Sequence, residues 1–205
     1  MRRLPLLLLL AGCATAGPAE PVRGRDLLPL EPGRIWVFTG DGGTATIKVL
    51  NLKSDPGWTL SLSLEAGLTW RLAEKPEGIV FLATGAGASD VSFDPPLLLV
   101  PNTVVTGTGW STEAGFQGGS ELRIFLQGFP DWESVRAGGK SYPARRIEFS
   151  ASTPGKESKE RSVFRRLWLS PSVGIVRVER LPVKLPFLVD SPGLSWDLVE
   201  VKKAP

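Results

Sequence analysis

The chain has 205 residues, 42% of them hydrophobic, with 24 Lys and Arg against 21 Asp and Glu; that length supports one domain with its own core. There is no His, one Cys, and no Met beyond Met1, which excludes His-dependent triads, His zinc sites, an internal disulfide and any multi-cysteine metal site. Gly (23) and Pro (18) together form about a fifth of the chain, above the usual ~12%, a composition of strands and turns rather than of a helix bundle.

At the N-terminus, Arg2 and Arg3 precede an apolar run over residues 4–10, broken only by Pro5, and Leu10-Ala11-Gly12-Cys13 follows at once. A basic start, a short apolar stretch and small residues make a secretory signal. The run is far shorter than the ~20 residues that span a bilayer. Leu10-Ala11-Gly12-Cys13 also resembles the lipobox of bacterial lipoproteins. That resemblance implies cleavage before Cys13, a diacylglycerol on its thiol and an acylated amine. Cys13 is then a lipid anchor, not a nucleophile, metal ligand or redox thiol. Each buried CH₂ contributes about 0.8 kcal/mol, so two or three acyl chains bind a membrane firmly. Ala14 stands where enterobacterial lipoproteins kept at the inner membrane carry Asp, which favours the outer membrane. Loss of Arg2 and Arg3 leaves 22 basic and 21 acidic residues, a net charge of +1. So small an excess predicts no nucleic-acid partner. The pairs Arg145-Arg146, Arg165-Arg166 and Lys202-Lys203 read as solvated strand positions.

Residues 14–25 are small, Pro- and Gly-bearing and without apolar period, the pattern of a linker. Fully extended, twelve residues reach roughly 40 Å. The expected organisation is a signal peptide over 1–12, a lipidated cysteine with flexible linker over 13–26, and one β domain over 27–205. Within that domain, apolar and polar residues alternate as in a strand with one wet face. Ala45, Ile47 and Val49 alternate, as do Trp58, Leu60, Leu62 and Leu64; Leu122, Ile124 and Leu126; and Ile147 and Phe149. Val163, Leu167 and Leu169 share a face with Arg165, and Gly174, Val176 and Val178 oppose Ile175, Arg177 and Glu179. Further strands are expected at 34–39, 68–73, 78–83, 104–110 and 196–201. Turn sequences separate them at 40–43, 75–78, 137–140 and 170–172. No window carries a helix-length stripe of period 3.6. The predicted fold is all-β: a single strongly curved antiparallel sheet of about ten strands, half-barrel or barrel-like, that curls to bury its apolar face. Trp36, Trp58, Trp110 and Trp168 are expected to be largely buried, and Leu60, Leu62, Ile124, Ile147 and Leu167 to share one face.

Four phrases, at 28–36, 95–101 with 107–110, 135–147 and 167–177, resemble in order a loose set of bacterial envelope lipoprotein domains. The resemblance implies a half-barrel similar to the LolA and LolB lipoprotein carriers.

Catalytic patterns are scarce. Ser-x-x-Lys occurs nowhere, and Ser158-Lys159 sits in a charged run, 156–161, that reads as a solvated hairpin. Asp131 and Glu133 flank Trp132 and would share one strand face roughly 7 Å apart, a spacing open to glycosidase chemistry but ordinary for a wet face. Gly40-Asp41-Gly42-Gly43 supplies too few oxygens for calcium. Gly85-Ala86-Gly87 lacks the third glycine of a nucleotide loop. Residues 113–120 read as a flexible loop whose Phe116 could serve as a lid or partner contact. No catalytic residue, metal or cofactor is assigned; Trp110, Phe116 and Trp168 are weak ligand-binding candidates. The expected protein is a non-enzymatic, lipid-anchored envelope module for binding, assembly or structure, with an envelope protein or lipid as partner. The alternative is a carrier sheltering an apolar ligand in the concave face.

Overall fold

The computed structural model describes residues 17–18, 21–51, 58–62, 68–86, 89–117, 120–152, 161–182 and 193–203. Cys13, the whole leader and the charged run before Arg161 lie outside the described residues. In chain order the elements are β1 (Val22–Arg23), α1 (Gly24–Leu27), β2 (Ile35–Gly40), β3 (Gly43–Asn51), β4 (Trp58–Leu62), β5 (Leu68–Lys75), β6 (Gly78–Ala86) and β7 (Ser89–Pro101). They continue with β8 (Thr103–Val104), β9 (Trp110–Phe116), β10 (Ser120–Ala137), β11 (Lys140–Ser152), β12 (Ser162–Ser170), β13 (Gly174–Arg180) and β14 (Leu194–Lys202).

Twelve of these strands form one antiparallel barrel, in the order β10-β11-β12-β13-β14-β2-β3-β4-β5-β6-β7-β9, with β9 closing onto β10. The all-β reading of the sequence is thus met, and the sheet goes further than a half-barrel. With an apolar stripe on every strand, full closure buries that face and removes both edges. β1 and β8 form a separate two-stranded ribbon.

The strand reading differs from the structure in three places. Residues 104–110 are not one strand: β8 ends at Val104, and the segment turns, with the Thr108 N–H donating to Val105 O and the Gly107 N–H to Pro130 O. Residues 113–116, read as loop, belong to β9, where Ala114 is buried against Ile124 of β10. β7 has no counterpart in the alternation because Pro95 and Pro96 interrupt it; proline cannot donate to a ladder. Its pairing with β6 skips from Ser92 to Leu97. Beside that gap β7 meets β9 through only Phe93↔Phe116 and Asp94↔Gly115, so this seam of the barrel is short.

The barrel has two ends. One, here called proximal, carries the turns at 76–77 and 171–173 together with β1, α1 and β8. The distal end carries the β2–β3 turn at Asp41 and Gly42. The N-terminal segment closes the proximal end, which the linker reading does not anticipate. Val22 pairs with Val104, Gly24 N–H donates to Asn102 O, and Ser172 N–H donates to Asp26 O. Gly24, Leu27 and Leu28 are buried. A Cβ at Gly24 would run into the Pro101 carbonyl. Residues 22–27 therefore belong to the folded body rather than to a free tether.

The β10–β11 hairpin is longer than the barrel wall. After an irregularity between Gly128 and Trp132, its outer arm turns back across β13 and β14. Gly138 sits against the Leu198 and Val199 backbone, its Cβ direction 3.0 Å from Leu198 O. The Arg177 guanidinium donates to Arg136 O at 3.4 Å.

Candidate functional site

The barrel interior is the first place to look for a ligand. Its inward residues, among them Trp36, Phe38, Ile47, Leu60, Trp70, Leu126, Ile147, Leu167 and Trp196, form one buried apolar cluster. A train of rings crosses it: Phe116–Phe93 at 5.4 Å, Phe93–Phe81 at 4.8 Å, Phe81–Trp70 at 5.2 Å, Trp70–Phe149 at 6.0 Å and Phe149–Phe164 at 6.2 Å. The rings are tilted to one another at distances where aromatic pairs attract. Arg165, expected beside Leu167 and Leu169, does turn inward; it is buried with its guanidinium 5.0 Å from the Trp70 ring centre. Phe116 is half-buried within this train, which corrects its reading as a loop-borne lid.

The outer face has the opposite character. Across β10 to β14, Arg146 pairs with Glu133 (3.3 Å) and Glu148 (3.7 Å), Arg166 with Glu148 (2.8 Å) and Glu179 (3.5 Å), and Arg177 with Asp197 (2.6 Å). This is a cross-strand charge ladder on a wet face. A membrane-spanning barrel needs an outward apolar band, and this ladder occupies five of the strands that would have to carry one. Among the described residues no helix is long and apolar enough to cross a membrane.

Trp168 belongs to this outer face, between Arg146 and Arg177 in register, not to the barrel interior. It is nevertheless buried, and its indole N–H donates to a Glu133 oxygen at 2.7 Å. The same Glu133 pairs with Arg146, so the proposed Asp131–Glu133 couple is not a free carboxylate pair: Glu133 is held inside the ladder while Asp131 is exposed. Trp36 and Trp168 are buried as expected, Trp70 and Trp196 are buried as well, and Trp110 is half-buried. The Trp58 side chain lies outside the described residues. Leu60, Leu62, Ile124, Ile147 and Leu167 all join the shared core.

Trp110 leads to a feature that alternation could not reveal. Arg145, expected on a solvated face, is fully buried. Its guanidinium donates to Pro130 O, to Thr108 O at 2.5 Å and to Val105 O at 3.3 Å. The Trp132 and Trp110 rings lie 5.4 Å and 6.0 Å from it. Burial lowers its pKa from the ordinary value, and the charge of Asp131 opposes that shift in part. Five fixed donors suit a cation that must satisfy several carbonyls at once. Arg145 thus staples the 105–109 turn to the β10–β11 arm, and its burial is structural.

Among the described residues no group of three or more Cys, Asp or Glu gathers for a metal. A shallow surface groove of about 340 Å³ runs over β9 to β12 and is lined by Thr112, Phe125, Gln127, Glu148, Ser150 and Arg161, among others. Arg161 lies over the Phe125 ring at 3.7 Å. Its mixed polar and apolar lining is the character of a contact surface, not of a closed catalytic cleft.

No family model and no curated protein matches the chain. Among solved structures it is similar to a candidate lipoprotein from Parabacteroides distasonis, at 15% identity and a TM-score of 0.37 over 86% of this chain and 98% of that one. It is also similar to a candidate exported protein with YmcC-like fold from Bacteroides fragilis, at 14% identity and a TM-score of 0.36 over 86% and 99%. Likenesses of this size place no residue of the chain in a functional role.

Proposed function

We propose that the chain is a bacterial envelope lipoprotein, anchored to the outer membrane by acyl chains on Cys13. Its barrel acts through its outer surface as a non-enzymatic binding, assembly or structural module. The supporting observation is the contrast between the two faces of the sheet. Apolar side chains and the ring train occupy the inside, while the charge ladder and the shallow groove lie outside. A carrier of acyl chains needs room inside; a scaffold needs a stable, solvated exterior.

The anchor is tested by growing bacteria with an alkyne analogue of palmitate. The wild-type chain is expected to take up the label and sediment with membranes. Cys13→Ser is expected to lose the label and become soluble while keeping its melting temperature. A mass spectrum of the mature N-terminus without lipid would sink the anchor. The interior is tested by organic extraction of the purified Cys13→Ser protein: no stoichiometric lipid is expected. One lipid per chain would move the carrier reading to the front.

A further inference from the structure

We infer that the proximal end of the barrel, around Val105, Thr106 and Trp132, lies against the lipid surface, and that the distal end points away from it. The inference rests on the lipid anchor proposed at Cys13.

The carrying observation is where the N-terminal chain docks. Gly17 lies flat against the Trp132 indole, so closely that a Cβ there would collide with the ring. One residue on, Pro18 O accepts from Thr106 Oγ1 at 3.3 Å, and the Trp132 indole N–H donates to that same hydroxyl at 3.0 Å. Four Cα–Cα steps separate Cys13 from Gly17. At ~3.8 Å each they span at most about 15 Å, whatever path the chain takes. The tether expected from composition, roughly 40 Å over twelve residues, is therefore cut to well under half. The diacylglycerol sits at the boundary of the hydrocarbon, and the headgroup layer above it is only about 5–7 Å deep. Trp132 and Thr106 must then stand at or just above the headgroups.

The surface at that point suits such a position. From Asp94 to Glu113 the chain carries no charged residue between the two. The exposed 105–109 turn belongs to this stretch, and Val105 is 45% exposed at its edge. Trp110, Phe129 and Trp132 lie beside it, all half-buried. Indoles with one apolar and one wet side are at home at the membrane interface. Arg145, beside Trp110 and Trp132, donates inward to backbone carbonyls, and Arg146, 4.0 Å from the Phe129 ring centre, is paired with Glu133 and Glu148. At the other end, Asp41 and Gln117 are exposed. Nine residues of β6 rise roughly 30 Å along the strand, or about 20 Å along the axis of a tilted barrel. This places Asp41 and Gln117 well clear of the headgroups.

Lipidation leaves the mature chain with no other thiol, so an introduced cysteine is a unique probe. Full-length lipidated protein carrying Val105→Cys, Asp41→Cys or Gln117→Cys is labelled with a small fluorophore. It is then reconstituted into phosphatidylethanolamine–phosphatidylglycerol vesicles containing a headgroup-nitroxide lipid. The expected result is loss of most of the fluorescence at position 105 and none at positions 41 and 117. Flotation of the same vesicles is measured in parallel. Protein that floats with the label at 105 unquenched, or with 41 or 117 quenched as strongly, overturns the orientation while leaving the anchor standing. Protein that does not float removes the anchor, and the orientation falls with it.

Discussion

Arg145 carries the largest single polar commitment in the described structure. A buried cation is costly in isolation, and here three backbone carbonyls and two indole faces offset that cost. Its lowered pKa means that the unfolded chain binds that proton more tightly than the folded one. Stability would therefore rise with pH only in the strongly alkaline range, where the group begins to lose its proton; near neutrality both states are charged and the slope is flat. Arg145→Met keeps the length of the side chain but takes the guanidinium from the Thr108 carbonyl, while Val105 O and Pro130 O keep the N–H groups of Thr108 and Gly107. We expect a loss of about 1–3 kcal/mol, the cost of one acceptor left unpaired. Arg146→Met, next in sequence but part of the half-exposed ladder, should cost under about 1 kcal/mol. Urea denaturation of the two variants gives the comparison; equal losses would show that the cage does not bear on stability.

The N-terminal segment is only one helical turn and a two-residue strand, yet it carries Leu27 and Leu28 into the core at the proximal end. Neither β1 nor α1 would persist in isolation, since a single turn of helix lies far below the length that is stable in water. Burial against the barrel holds it there. Gly174 helps from the other side. It adopts φ +90°, and a Cβ there would press into the Trp36 indole, whose N–H donates to Val173 O at 2.7 Å. Arg34 donates to Ser172 O at 2.9 Å, so the 171–173 turn is gripped by both β2 and α1. Leu27→Ala should cost about 2–5 kcal/mol as a core truncation. Hydrogen exchange should show the loosening first at Val104 and Asn102, which the segment covers. Unchanged exchange there would mean that the segment is a passive appendage.

As a whole, the molecule inverts the plan of a membrane barrel: rings inside, charge ladder outside. It draws its stability from a continuous apolar interior and a closed hydrogen-bond ladder, and nothing among the described residues requires a metal. Excess EDTA should leave the melting temperature of the purified chain unchanged, and a fall of several degrees would reveal a bound structural ion. On the proposed anchor at Cys13 and the orientation inferred from it, the distal end and the flank are the faces left for a partner.

Alternation of apolar and polar residues was enough to identify the β class and most strands. It also identified the shared core face of Leu60, Ile124, Ile147 and Leu167, because the two-residue period of a strand is a local property of the chain. Glycine-bearing turns at 138–139 and 42–43 were equally legible, since a tight turn depends on its own few residues. β7 was not, because Pro95 and Pro96 break the pattern while a neighbour on each side supplies the pairing that one ladder loses. Closure into twelve strands was not legible either: it depends on β9 meeting β7 and β10, contacts that no short window contains. The burial of Arg145 shares this cause: its position reads as wet, and the 105–109 turn, distant in sequence, covers it. Trp168 is buried as its bulk suggests, but what covers it on the outer face, the returning arm of β10 and β11, is again distant in sequence. Likewise, residues 14–25 have the composition of a free linker. Only the Trp132 ring and the Thr106 hydroxyl, against Gly17 and Pro18, and the β8 strand and Asn102 carbonyl, against residues 22–24, give that segment partners worth the loss of its freedom.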